Sequence, residues 1–236
     1  MTNLNELLGD DEDWSNPAAM FDPVASVGNS DHARALRIVA DDLTGVLHRA
    51  APRLRSAGAA GYDAALAHAR TAQGLLRYHS AMAGTGPDRI AVLLSIRSAM
   101  TAENLLAIVA QENRRGPCVV FAHNAHLRRI SSPELEVGNE VGWSNAGALV
   151  ALTLGERYLF VATDAAPDSD PNTFQGALAA ATSRRSLFPA SAVLAPSIEA
   201  GRPIVPGHIP LTPADLSDVD AVVFISDTDG KRYQYW

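Results

Sequence analysis

Lysine is almost missing from this chain. Lys231 is the only one, against 19 basic residues of the Lys and Arg type in 236. With the high alanine content, this reads as a GC-rich coding bias and not as a binding device. Cysteine is as scarce: Cys118 stands alone, which excludes an intramolecular disulfide. It lies in an apolar run, where a buried, inert thiol is expected and a nucleophilic one is not. Positive charge is in deficit, with a formal net charge of −7, so a general nucleic-acid footprint is not expected. No basic segment precedes an apolar run at the start, so no signal peptide is expected. No uninterrupted apolar run reaches spanning length, so neither a transmembrane helix nor a membrane partner is expected, and the cytoplasm is the default compartment. No Gly-x-Ser-x-Gly elbow supports a serine esterase. Gly58-Ala-Ala-Gly61 lacks the Lys-Ser/Thr pair of a phosphate loop.

What is present is a globular composition, 47% apolar, with one substantial core in reach. Residues 1–31 are acidic and turn-rich, and Ser30 or Asp31 is placed to cap the next helix. Leu36, Val39, Leu43, Val46 or Leu47, Ala50 and Leu54 recur at helical spacing over 32–57, with Pro52 as a candidate kink. A second helix is expected from about 62 to 82, ended by Gly84-Thr-Gly86-Pro87. A third is expected over roughly 89–113, with Arg97 and Asn104 two turns apart on one face, beside the apolar stripe. Strands are expected at 118–122, at 156–163, as a short piece at 191–194, and at 221–226 before a turn at Asp229-Gly230. Residues 127–141 read as a polar loop in which Arg128 and Arg129 are mainly solvated. Residues 143–154 read as a helix, and so does a short Ala-rich stretch capped by Asn172 or Thr173. Six prolines between Pro189 and Pro213 predict an irregular surface segment carrying an exposed His208.

The chemistry concentrates in Cys118-Val-Val-Phe-Ala-His123-Asn124-Ala-His126. An apolar run ends in two imidazoles, and ligands bind at the C-terminal ends of strands in open α/β sheets. Imidazole titrates near neutrality and serves as acid, base or ligand. A metal site is not expected, because a third ligand at recognisable spacing is absent and Asn124 stands where a helical His-Glu-x-x-His motif has Glu.

Arg97-Ser98-Ala-Met100-Thr101-Ala102-Glu103-Asn104, followed by Ala122-His123-Asn124-Ala125-His126, resembles the erythromycin esterase family. That family shows Arg-Asp-x-x-Met-Ala-x-Asn on a helix and then a strand ending in Ala-His-Asn-x-His. Arg97, Ala102 and Asn104 match the first motif, with Ser98 and Thr101 departing from it, and 122–126 match the second fully. Asp13-Trp14, Ser26-Val27-Gly28, Leu76-Arg77-Tyr78-His79, Gly142 to Ala148, Leu154 to Tyr158 and Val219 to Phe224 extend the likeness.

The resemblance implies an α/β fold, a mixed sheet with a helical lobe, with 1–114 as mainly helical lobe and 115–236 as the strand and helix part of the sheet core of a single partial domain. It implies metal-independent hydrolysis of an ester or of the lactone of 14-membered macrolides, and no cofactor. His123, His126 and Arg97 would be catalytic, and Asn124 and Asn104 would position substrate or groups. The family also carries an N-terminal Gly-Glu-x-x-His-Gly motif, and no Glu-x-x-His occurs in this chain. The expectation is therefore a C-terminal portion of such an esterase, completed by an N-terminal fragment or a second copy. The other class is a non-catalytic remnant or binding module that keeps the cleft wall. A small-molecule ester or lactone is the expected ligand in either case.

Overall fold

The computed structural model describes residues 4–129, 132–136, 140–166, 170–192, 199–204 and 208–228. The chain divides into two compact units: 1–119 with 131–146, and 120–130 with 147–236. The divide falls inside the apolar run before His123, and 131–146 returns to the first unit.

The first unit is mainly helical. Short helices α1 (Leu4–Leu8) and α2 (Asp11–Trp14) lead through three 3-10 turns to α3 (Asp31–Met82). Ser30 caps α3, its hydroxyl oxygen accepting from the Ala33 amide, as the sequence predicts. The long run of α3 is broken at Gly58, whose backbone is extended (φ 171°, ψ 97°). The break folds α3 into a hairpin: Gln73 on the second leg donates to Asp41 on the first (3.3 Å), and Arg55 pairs with Asp63 beside the turn (3.6 Å). Pro52 does not end the helix. Pro52 and His48 both lie on the exposed side, so the His48 carbonyl that proline leaves without a donor can be solvated.

Helix α4 (Arg89–Glu112) packs on α3, tied by Arg70 Nε to Asn104 Oδ1 (2.9 Å) and Arg77 to Glu103 (3.5 Å). By length and composition α4 is apolar enough to cross a membrane, which the absence of a long uninterrupted run had hidden. Its Arg97, Glu103 and Asn104 make a lipid setting costly. The small core here is Ala19, Met82 and Leu93. Above it Arg89 donates to the carbonyls of Met82, Met20 and Ala19 at 2.6–2.9 Å, fastening the N-terminal turns to α3. Gly28 is required: a Cβ there would stand 1.8 Å from the His79 carbonyl oxygen. The polar loop expected at 127–141 contains instead an antiparallel pair, β1 (Ser132–Glu136) and β2 (Glu140–Trp143). Strand pairing here overrides the charged composition.

The second unit holds a three-stranded mixed sheet in the order β3-β5-β4. Central β5 (Ala221–Ile225) runs parallel to β3 (Val161–Ala165) and antiparallel to β4 (Arg185–Pro189). Val222 and Phe224 point into a core with Phe160, Phe174, Leu178 and Leu211. Each such side chain contributes roughly 1.5–3 kcal/mol when removed from water. Helices α5 (Asn124–Leu127), α6 (Ala146–Leu154) and α7 (Phe174–Ala180) complete the unit, α7 capped by Thr173 as expected. The strand expected at 156–163 begins only at 161; of the piece expected at 191–194, Ser191 and Ala192 lie in a 3-10 turn and 193–194 lie outside the described residues, while β4 just before it was not expected. The turn expected at Asp229-Gly230 also lies outside them.

The strand expected at 118–122 does not form. Val119 and Phe121 are 95% and 93% exposed, and Cys118 is half-buried rather than buried. The edge of β3 is met instead by a side chain, described next.

Candidate functional site

The His motif is a tight turn on the second unit. His123 is the N-cap of α5, and its Nδ1 accepts from the Ala125 amide (3.2 Å). An Nδ1 that accepts carries its lone pair, so the neutral ring holds its proton on Nε2 and presents an N–H donor to solvent. His126 lies one turn on, half-buried, with ring centroids 6.3 Å apart.

Asn124 fixes the turn to the sheet. Among the described residues one edge of β3 has no strand partner, and the Asn124 carboxamide meets it there: Oδ1 accepts from the Thr163 amide (3.1 Å) and Nδ2 donates to the Thr163 carbonyl (2.8 Å). One side chain thus copies the two hydrogen bonds of a neighbouring strand residue. Only Asn or Gln offers that donor–acceptor pair, and Asn does so with the shorter reach. The far end of α5 is held as tightly. The Tyr158 hydroxyl donates to the Leu127 carbonyl (2.6 Å), and burial pushes that hydroxyl up to about 12. Gly147 admits the same carbonyl, since a Cβ at 147 would stand 2.1 Å from it.

Arg128 and Arg129 are not mainly solvated. Arg128 pairs with Asp215, and Arg129 pairs with Asp220 while donating to the carbonyls of Tyr158 (2.9 Å) and Asp218 (3.3 Å). Their charge is consumed in anchoring the segment after the His turn, so it is not offered to an acidic ligand.

Behind the turn lies a buried polar cluster. The Asp164 side chain, on β3 next to Thr163, is fully buried. It accepts from the amides of Ala165 (2.7 Å) and Leu211 (2.9 Å), from Gln175 Nε2 (2.7 Å), and from His208 Nε2 (2.9 Å). His208 Nδ1 in turn accepts from the Ile204 amide (3.1 Å), which assigns its proton to Nε2, facing Asp164. His208, expected as an exposed loop residue, is therefore a mostly buried brace that holds the Pro-rich segment on the sheet. Sequence reasoning missed this cluster. The signal was a carboxylate in an otherwise uncharged strand, where an unsatisfied charge is prohibitive.

Arg97 and Asn104 belong to the first unit. Arg97 is exposed on α4 and, among the described residues, has no hydrogen-bond or ion-pair partner for its guanidinium. Asn104 accepts Arg70, so one of its groups is spent between α3 and α4. Among the described residues no three His, Cys, Asp or Glu side chains converge on a metal site.

A mixed-sheet α/β unit that presents an imidazole pair from a braced turn fits a hydrolase-like class. A family model for erythromycin esterase matches residues 2–191, and the chain belongs to that family. No match was found among curated proteins or among solved structures.

Proposed function

We propose that this chain hydrolyses an ester or macrolide lactone without a metal, with the His123–His126 turn as its reacting surface. The observation that carries this reading is the double hydrogen bond from Asn124 to Thr163. It spends a polar side chain on holding two imidazoles in place, 6.3 Å apart.

The two rings divide the work. His123, protonated on Nε2, is a donor suited to the oxyanion. The base role then falls to His126. Water loses a proton to His126 as its oxygen bonds to the carbonyl carbon, and the tetrahedral oxyanion accepts from His123 Nε2–H. Collapse breaks the C–O bond, and the proton on His126 passes to the leaving alkoxide. Products are a carboxylic acid and an alcohol, or one hydroxy acid from a lactone. Arg97 and Asn104, the other motif residues, lie on the first unit and are given no step in this scheme.

A second reading is binding without turnover, favoured by the absence of any Glu-x-x-His in the sequence. In it the site is completed by a separate fragment that carries this motif, or by a second copy. Mass spectrometry of the purified chain with 14-membered macrolides and simple esters separates the two. Addition of one water, abolished in His126→Ala and sharply reduced in His123→Ala, supports hydrolysis; folded protein that binds without adding water supports the second reading.

A further inference from the structure

The first unit contains a cavity of about 650 Å³ that the His turn does not use. We propose that it binds an apolar small molecule carrying a cationic group, a site independent of the hydrolase reading. Its size falls in the range of about 300–1,000 Å³ typical of small-molecule pockets. Both legs of the α3 hairpin wall it, with Leu36, Leu43 and Leu47 facing Ala69, Leu75 and Leu76, and α1 with Trp14 adds a further wall.

The lining is apolar and unfinished. Leu43 and Leu75 remain 51% and 46% exposed, so the two legs leave space between them. Trp14 adds an aromatic wall whose polar atom is already satisfied, Nε1 donating to the Leu8 carbonyl at 2.7 Å. The Trp14 and His79 rings meet edge to face at 5.0 Å. Burial lowers the His79 pKa, which keeps that ring uncharged at neutral pH.

Charge selects the ligand's sign. The lining includes no Lys or Arg; its titratable side chains are the imidazoles of His68 and His79 and one carboxylate, Asp11, which has no ion-pair partner among the described residues. Asp10, Glu12 and Asp13 flank it in sequence. Apolar contact supplies affinity, while the exposed carboxylate supplies a modest preference for a cation over an anion, since such surface pairs are weak.

The test titrates the full chain with decyltrimethylammonium and with decyl sulfate, both below their micelle concentrations, by calorimetry and tryptophan fluorescence. Saturable one-to-one binding of the cation, about threefold or more tighter than the anion, is expected, with Asp11→Asn bringing the two within about twofold. Ala69→Trp, which places an indole in the cavity, should weaken cation binding about tenfold or more with an unchanged circular dichroism spectrum. Leu43→Arg, at a half-exposed position, makes the same test if the tryptophan variant does not fold. No saturable binding, equal binding of both ions, or full affinity in a folded Leu43→Arg protein would overturn the proposal.

Discussion

The two units are held together by different physics. The helical unit rests on repeated apolar spacing, a small core and backbone carbonyls gathered by Arg89. The sheet unit rests on a larger aromatic core with a buried carboxylate, Asp164, at its centre. The helical unit keeps an open apolar cavity. The sheet unit spends its polar groups on bracing the His turn and the Pro-rich segment. A fold can leave space where it binds by shape, but imidazoles that must act at fixed positions need satisfied hydrogen bonds around them.

Breaking the buried carboxylate should show the contrast most strongly. Asp164→Ala orphans Gln175, His208 and two amides, and should cost about 3–5 kcal/mol in chemical denaturation. A loss below 1 kcal/mol would mean that the cluster is not structural. Gly147→Ala forces a Cβ against the Leu127 carbonyl, and a loss of about 1–3 kcal/mol is expected, with displaced His123 and His126 signals in NMR spectra. On the helical side, Arg89→Met leaves three carbonyls without their donor, and about 2 kcal/mol is expected from the same melt. If Arg89→Met costs more than Asp164→Ala, the comparison is reversed.

The smallest effect is a pH dependence. The His79 pKa is lowered on folding by burial, so below its ordinary value of 6.5 the unfolded chain takes up a proton more readily than the folded one. This residue's contribution is therefore flat above about pH 6.5 and is lost as pH falls below it. The stability gap between wild type and His79→Gln should narrow from pH 7.5 to pH 5.5. A gap that widens would contradict the burial argument.

The helical unit was the more legible of the two from sequence, because helical periodicity is a local signal. Both legs of α3, the Ser30 cap and α4 follow from spacing alone. The chain turns at Gly58, in the gap between the helices expected over 32–57 and from about 62, while Pro52, the candidate kink, sits on an exposed face and does not break the helix. The sheet unit depends on contacts across long separations. Asn124 reaches Thr163, and Asp164 reaches His208 and Leu211, at 39 to 47 residues' distance in the chain. No local pattern encodes those partners, so the motif residues were legible as chemistry while their supports were not. The apolar run 118–122 reads as a strand by composition, yet it forms none, and the edge of β3 takes its hydrogen bonds at Thr163 from the Asn124 side chain.

The central claim is that the braced turn divides the work between its two histidines, His126 as the base and His123 as the oxyanion donor. The direct measurement compares the rate of ester hydrolysis by the wild-type chain, His123→Gln and His126→Gln under identical conditions. The account predicts that His126→Gln abolishes turnover, while His123→Gln lowers kcat about 10²–10³-fold, as loss of an oxyanion donor does, and leaves a measurable residue. Wild-type turnover that survives undiminished in His126→Gln would contradict it.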